Sequence, residues 1–420
     1  MKTKFEDVWM LLPDRQVGYG DLTVEGERIV AIDLREPMGR PGIIGRRLLL
    51  PGLVNCHGHT AMTLVRGLGG GLPLQRWLEE AIFPVEAKMT PADISAGVTW
   101  GALEMLAGGT TTVADMYDFP EAGGRAFLEV GFRTRICRVG LSFVPGRLED
   151  CRAFTRKWNE AAGENALVQA DLCIHSEYLT DEKFCREMAA MNRELKRPVH
   201  VHVSETRKEH EECLARHGRT PIAYLASTGL LDCGGYAAHG VYCTDDDFQI
   251  MREKGVTLVH NPTSNMKLGS GFARIPAALK AGVNVALGTD GCASNDNLDM
   301  FEEMHLASLV HKGLANDPTV LSAWDVIEMA TRNGARALGL ADAGELKVGN
   351  LADLCAVDLT RPHLMPALDL PNLVVHSMQA SDVVLTMVGG NILYENGDWT
   401  TVDRGRAEFD FLSAVRRIGL

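Results

Sequence analysis

Two histidines separated by a single glycine, His57-Gly-His59, close an apolar run that begins at Leu48. Side chains two residues apart on a β-strand point to the same face, so two imidazoles at this spacing can share one metal ion. Gly58 between them has no side chain to crowd the space. An H-x-H pair alone is weak evidence, because 13 histidines in 420 residues give about 0.4 such pairs by chance. The surrounding pattern is stronger. His175, His200-Val-His202 with Glu205, His239, His260 and Asp290 stand at or just past the ends of further apolar runs. Imidazole nitrogens with one carboxylate oxygen are the donor set of a catalytic zinc or iron site that keeps a position open for water.

Such groups act together only if the chain brings the ends of the runs to one place. The runs are Leu48–Asn55, Thr110–Met116, Arg135–Leu141, Leu167–Ile174, Pro198–Val203, Tyr236–Val241, Val256–Val259 and Val283–Leu287. Amphipathic segments such as Pro91–Leu106 and Glu182–Leu195 lie between them. Eight strands alternating with helices predict an α/β fold, a (β/α)8 TIM-like barrel whose active site opens at the C-terminal ends of its strands. The two ends of the chain read differently. Leu22–Asp33 is a hairpin pattern turning near Gly26; Asp353–Leu359 and Val383–Tyr394 are strand-like, with a turn at Gly389-Gly390. Each end is too short to bury a core alone. The expected organisation is a composite β-sandwich from residues 1–50 and 346–405, a barrel over 51–345, and a C-terminal helix over 406–420.

Composition bounds the partners. The formal charge is −13, from 42 basic and 55 acidic residues, with no Lys/Arg block, which argues against nucleic acid. The first residues hold only a short apolar stretch, Val8–Leu12, where a membrane span needs roughly 20 residues. The ten cysteines form no C-x-x-C pair and read as reduced thiols of a cytoplasmic protein.

The stretches PGLVNCHGHTAMTLVRG, VHVHVSET, AAHGVY, HNPTSNMKLGSG and VALGTDGCASNDNLDMFEEM resemble the amidohydrolase superfamily, and within it the 5′-methylthioadenosine/S-adenosylhomocysteine deaminases. The resemblance implies a metal-dependent hydrolytic deaminase acting at C6 of adenine nucleosides. A related hydrolase of guanine, a pterin or a triazine is the alternative. Carried over, His57, His59, His202 and Asp290 would bind one divalent metal per subunit, zinc or else iron. Glu205 would shuttle protons between water and N1 of the adenine, His239 would hydrogen-bond the attacking water, and Asp290 would serve as ligand and base. The substrate shell implied is Trp77, Glu86 on the ribose hydroxyls, His175 on the purine, Ser294, and Arg138 with Arg147 clamping an amino-acid carboxylate. One of the arginines would come from a neighbouring subunit, hence a homo-oligomer, dimer or tetramer, with a nucleoside substrate and no membrane.

Plainer readings compete at several positions. His200 shares a face with His202, but Glu205 follows His202 and His200 would sit deeper in the barrel. His260 fits a packing role, and Cys56 and Cys292 fit as small core residues. Strand four ends in His175, and the nearest lysine, Lys183, falls in the next helix pattern, so a lysine-bridged second metal is not expected.

Overall fold

The structure, a computed structural model, describes residues 2–163 and 166–420. Met1, Glu164 and Asn165 fall within the expected segments but lie outside the described residues. Eight parallel strands form the barrel sheet: β1 (Leu53–His59), β2 (Thr110–Met116), β3 (Arg133–Cys137), β4 (Val168–Cys173), β5 (Val199–Val203), β6 (Gly235–His239), β7 (Val256–His260) and β8 (Val285–Leu287). They are hydrogen-bonded in sequence order. Past β8, the pair Asp290–Gly291 bonds in parallel to Gly58 and His59, which returns the last strand to the first.

Alternation along the strands decides which side chains face inward. On β5, Val199, Val201 and Val203 pack outward in one cluster with Cys185 and Met188 of helix α2 (Glu182–Leu195). His200 and His202 therefore point to the barrel interior. On β1, Val54 and Cys56 pack outward against Ala335 and Leu338, leaving Asn55, His57 and His59 inside. Helix α1 (Pro91–Ala107) opens with a capping box in which Thr90 and Asp93 satisfy each other's backbone amides.

The apolar run Leu48–Asn55 proves to be two strands. Arg47–Pro51 belongs to a second sheet, the chain turns at Gly52, and β1 starts at Leu53. That second sheet has eight strands drawn from both termini. Its inner members are Lys2–Leu12, Arg47–Pro51 and Leu354–Asp358, the last two pairing antiparallel. The expected sandwich is this one sheet coiled over itself. The Gly26–Glu27 turn meets the far end, where Ala352 N–H donates to Glu27 O at 2.8 Å and Gly390 N–H to Ala352 O at 3.1 Å. Phe5, Met10, Leu22, Leu49, Leu354 and Met387 fill the space enclosed. Gly389 and Gly390 have φ of 53° and 74°, the two positive values that a tight hairpin turn requires.

Helix α3 (Arg404–Ile418) packs on α1, with Phe411 stacked on Trp100 at 5.2 Å. All ten cysteines are free thiols, nine of them buried. No helix among the described residues is long and apolar enough to cross a membrane.

Candidate active site

Four side chains meet at the C-terminal mouth of the barrel. One ligand atom from each of His57, His59, His202 and Asp290 lies within 4.8 Å of all the others. Oδ1 of Asp290 stands 3.2 Å from Nε2 of His57 and 3.1 Å from Nε2 of His59. Nε2 of His202 is 3.2 Å from Nε2 of His59. The outer atoms of these groups are held from behind. Nδ1–H of His59 donates to Met116 O at 2.5 Å, and Nδ1–H of His202 to His175 O at 2.7 Å. This fixes the tautomer that leaves Nε2 as a lone pair facing the centre. Oδ2 of Asp290 accepts from Ser264 at 2.6 Å and Ser294 at 2.8 Å, so only Oδ1 is free to point inward.

The backbone bends to make this possible. Asp290 has φ of 63°, His239 of 73° and Ser204 of 50°, left-handed values that are rare outside glycine. All three lie at or just past strand ends, where strain of this kind turns side chains into a site.

The charges show what the cluster is built to hold. Burial opposes ionisation of Asp290, but the His57 and His59 imidazoles within 3.2 and 3.1 Å of its Oδ1 outweigh burial and hold the carboxyl well below its usual range. Burial lowers His202 well below its usual range and His57 to about 4. Nε2 of His57 is buried and makes no hydrogen bond. Burial opposes a charge on His59 too, but the Asp290 carboxylate beside it outweighs burial and raises it to about 9. Imidazoles held neutral at His57 and His202, an ionised carboxylate and an unsatisfied buried nitrogen, all converging, fit a divalent metal ion.

Beside the four lies a pair suited to moving protons. Oε2 of Glu205 is 4.0 Å from Nε2 of His239, whose Nδ1–H donates to Asn265 Oδ1 at 2.9 Å. Burial pushes the Glu205 carboxyl up from its usual value. Glu209, in the first turn of the next helix, accepts Ser204 N–H at 2.8 Å and Glu205 N–H at 2.7 Å. Its two oxygens thus clasp the peptide that carries the shuttle.

Of the residues expected to hold substrate, Trp77, Glu86, His175 and Ser294 line the cavity above this centre, together with Glu205 and Asp290. Trp77 Nε1–H is tied to Leu68 O at 3.0 Å. Burial raises Glu86, which accepts from the Tyr117 hydroxyl at 2.5 Å. Burial keeps His175 neutral, lowering it to about 3. The two arginines are not brought to the cavity wall. Nη2 of Arg138 binds both oxygens of Glu121, at 2.6 and 2.8 Å, in a separate surface depression. Nη1 of Arg147 reaches Asp118 Oδ1 at 3.4 Å and Val139 O at 3.3 Å. Both guanidiniums contact acidic residues of this chain, and the Nε of each is buried without a hydrogen-bond partner.

Five contributors escaped the sequence reading: His200, Ser264, Tyr117, Glu209 and Asn265. His200 places Nε2 at 2.8 Å from Nδ1 of His57, which its alternation with His202 already allowed. Ser264 and Tyr117 carry hydroxyls whose roles no spacing announces.

The amidohydrolase family model matches residues 48–393. The chain belongs to the amidohydrolase family. This amidohydrolase is 43% identical over 376 residues to a 5-methylthioadenosine/S-adenosylhomocysteine deaminase of Acetivibrio thermocellus, covering 89% of this chain and 87% of that one. A protein of the same description from Moorella thermoacetica is 43% identical over 363 residues, covering 86% and 84%. Among solved structures, a zinc-bound adenosine deaminase from Xanthomonas campestris superposes with a TM-score of 0.92 at 31% identity, covering 99% of this chain and 98% of that one. A zinc-bound atrazine chlorohydrolase from Arthrobacter aurescens, at 23% identity, TM-score 0.88 and 98% and 99% coverage, shares the fold.

Proposed function

We propose that this amidohydrolase hydrolytically removes the 6-amino group of 5′-substituted adenine nucleosides, giving the corresponding inosine and ammonia. The observation that carries the reading is the convergence of His57, His59, His202 and Asp290 beside the Glu205–His239 pair, facing a cavity that holds Glu86, Trp77 and His175. Relatives described as 5-methylthioadenosine/S-adenosylhomocysteine deaminases, and a zinc-bound adenosine deaminase, support it.

His57, His59, His202 and Asp290 would hold one divalent metal ion, zinc by analogy with the Xanthomonas relative. Bound there, such an ion supplies Lewis acidity that makes water a nucleophile at neutral pH. The protein's own groups do the rest. Glu205, with its carboxyl raised by burial, takes a proton from the attacking water and delivers it to N1 of the adenine. That protonation makes C6 electrophilic, and the water oxygen forms its bond there. His239, held by Asn265, orients that oxygen. The second water proton passes through Oδ1 of Asp290 to the departing amino group, the C6–N bond breaks, and ammonia leaves. Glu86, fixed by the Tyr117 hydroxyl, accepts from the ribose hydroxyls, and Trp77 and His175 flank the base.

The test is ammonia release by the zinc-loaded protein with 5′-methylthioadenosine, S-adenosylhomocysteine, adenosine and 5′-deoxyadenosine, beside adenine, guanine and a triazine. Release from the nucleosides is expected. Release from a free base or triazine alone would discard the nucleoside reading and leave the hydrolase.

A further inference from the structure

The loop after β4 and the helix after β5 (Arg207–His217) are joined by an ion pair whose carboxylate is wholly buried. Oε1 of Glu177 accepts from Nη2 of Arg216 at 2.5 Å; the Glu177 side chain is 0% exposed and that of Arg216 40%. Just before Glu177 in the loop, the His175 carbonyl accepts the backbone N–H of His202 at 3.0 Å and its Nδ1–H at 2.7 Å. His175, Tyr178 and Leu179 of the same loop line the cavity. On the other side of the pair, the helix that carries Arg216 in its last turn carries Glu209 in its first, and Glu209 clasps the Ser204–Glu205 peptide. One ion pair thus links the segment that faces the base to the segment that holds the proton shuttle.

Stability alone does not account for this pair. Oε2 of Glu177 is buried without a hydrogen-bond partner, with Nε2 of His217 3.9 Å away and the Cys213 thiol beside the carboxylate. A carboxylate taken out of water and half satisfied is no more stabilising than well-packed hydrocarbon of the same volume. What the pair adds is direction, because a charge-assisted hydrogen bond fixes where its two ends sit. We propose that Glu177 and Arg216 are positioning residues for the deamination, their ion pair keeping the His175 loop in register with Glu205 so that base and shuttle meet at one fixed separation; the proposal rests on the deaminase reading above. The loop is also tied the opposite way, to the segment after β3. His175 N–H donates to Gly140 O and Ser142 N–H to Leu179 O, both at 3.2 Å. With the ion pair gone, those bonds draw the loop with that segment, and the base shifts against Glu205. A misplacement of about 1 Å in a reacting pair costs about a hundredfold in rate. Glu86 and Trp77, on a different segment, keep the nucleoside bound, so the loss falls on kcat and not on KM.

The experiment measures kcat, KM and zinc per subunit with the nucleoside that the wild type turns over best. Glu177→Met removes the acceptor and leaves Arg216 in water, so no bare charge is buried and the fold is kept. It should lower kcat by about tenfold to a hundredfold, with KM within about twofold and bound zinc unchanged. Adding Arg216→Met to it should cost nothing more, because Arg216 acts through Glu177. Arg216→Lys should stay within about threefold of the wild type, since the contact runs through one nitrogen and an ammonium can replace it. Wild-type kcat in Glu177→Met overturns the proposal. So does a loss that a rise in KM or missing zinc fully explains, a double variant about tenfold slower than Glu177→Met, or an Arg216→Lys variant as slow as Glu177→Met. Ammonia from no nucleoside with the wild type would instead strike the deaminase reading, and the proposal would fall with it.

Discussion

Nδ1 of His57 lies 2.8 Å from Nε2 of His200, with the two buried rings edge to face at 88°. His57 can present a lone pair at Nε2 only if its proton sits on Nδ1, and His200 is the acceptor for that proton. The other two histidines of the centre use backbone carbonyls for the same purpose. His200 is thus a positioning residue. Replacing it by phenylalanine, which fills the space without accepting, should weaken metal affinity by about 10–100-fold. Competition with a chromophoric chelator measures this directly. An unchanged affinity would show that His57 finds its tautomer without help.

Glu205→Gln keeps the shape of the shuttle and removes its proton. Turnover should fall by about 10²–10⁴-fold while bound metal, counted by elemental analysis, stays at the wild-type level. Glu209→Gln tests the clasp behind it. One carboxylate oxygen becomes an amide that cannot accept from Ser204 or Glu205, so the shuttle's peptide loosens. We expect kcat to drop with KM little changed, because the substrate contacts lie elsewhere; a rise in KM alone would place Glu209 outside the reaction.

Much of this arrangement was legible in the chain, for identifiable reasons. The histidines and Asp290 at the ends of the apolar runs are legible as candidates because strand alternation aims them inward; the choice of His57, His59, His202 and Asp290 among them comes from the family resemblance. The run Leu48–Asn55 misled because a continuous apolar stretch reads the same whether it fills one buried strand or passes from one sheet into the next. Only Pro51-Gly52 marks the crossing, and the pairing of Leu48–Leu50 with Ala356 and its neighbours is a contact more than three hundred residues away. The contacts of Arg138 and Arg147 are illegible for another reason. A guanidinium in the right stretch of sequence does not say which carboxylate it meets, and here Glu121 and Asp118 meet it first. The left-handed turns at His239 and Asp290 carry no glycine signal, because strain at non-glycine residues is enforced by surroundings the sequence does not display.

The two sheets are joined through a buried ion pair. Arg133, at the start of β3, donates from Nε to Asp353 Oδ2 at 2.6 Å and from Nη2 to Oδ1 at 3.1 Å, and Gly389 N–H also donates to Oδ1 at 2.6 Å. Removing one partner leaves the other charge buried without compensation. Asp353→Ala should therefore cost about 3–5 kcal/mol of stability, read as a shift in the urea midpoint. A shift within experimental scatter would mean that water reaches Arg133 and the junction is loose.

Glu303 gives the protein a pH dependence away from the catalytic groups. It accepts from Asn295 Nδ2 at 2.7 Å and from Thr263 N–H at 3.3 Å, and burial pushes its carboxyl up to about 8. In the unfolded chain the same group titrates near about 4.3. Between those values the folded state holds the proton more tightly than the unfolded state, so stability falls as pH rises. The contribution is about 1.4 kcal/mol per pH unit and levels off outside that window. Glu209, raised to about 8, adds a slope of the same sign. Glu303→Gln removes one ionising group and keeps the size. Urea midpoints taken between about pH 5 and about pH 8 should fall less steeply in the variant than in the wild type, with the residual slope due to Glu209. Parallel profiles would show that Glu303 is already ionised at neutral pH and stabilised by its two donors.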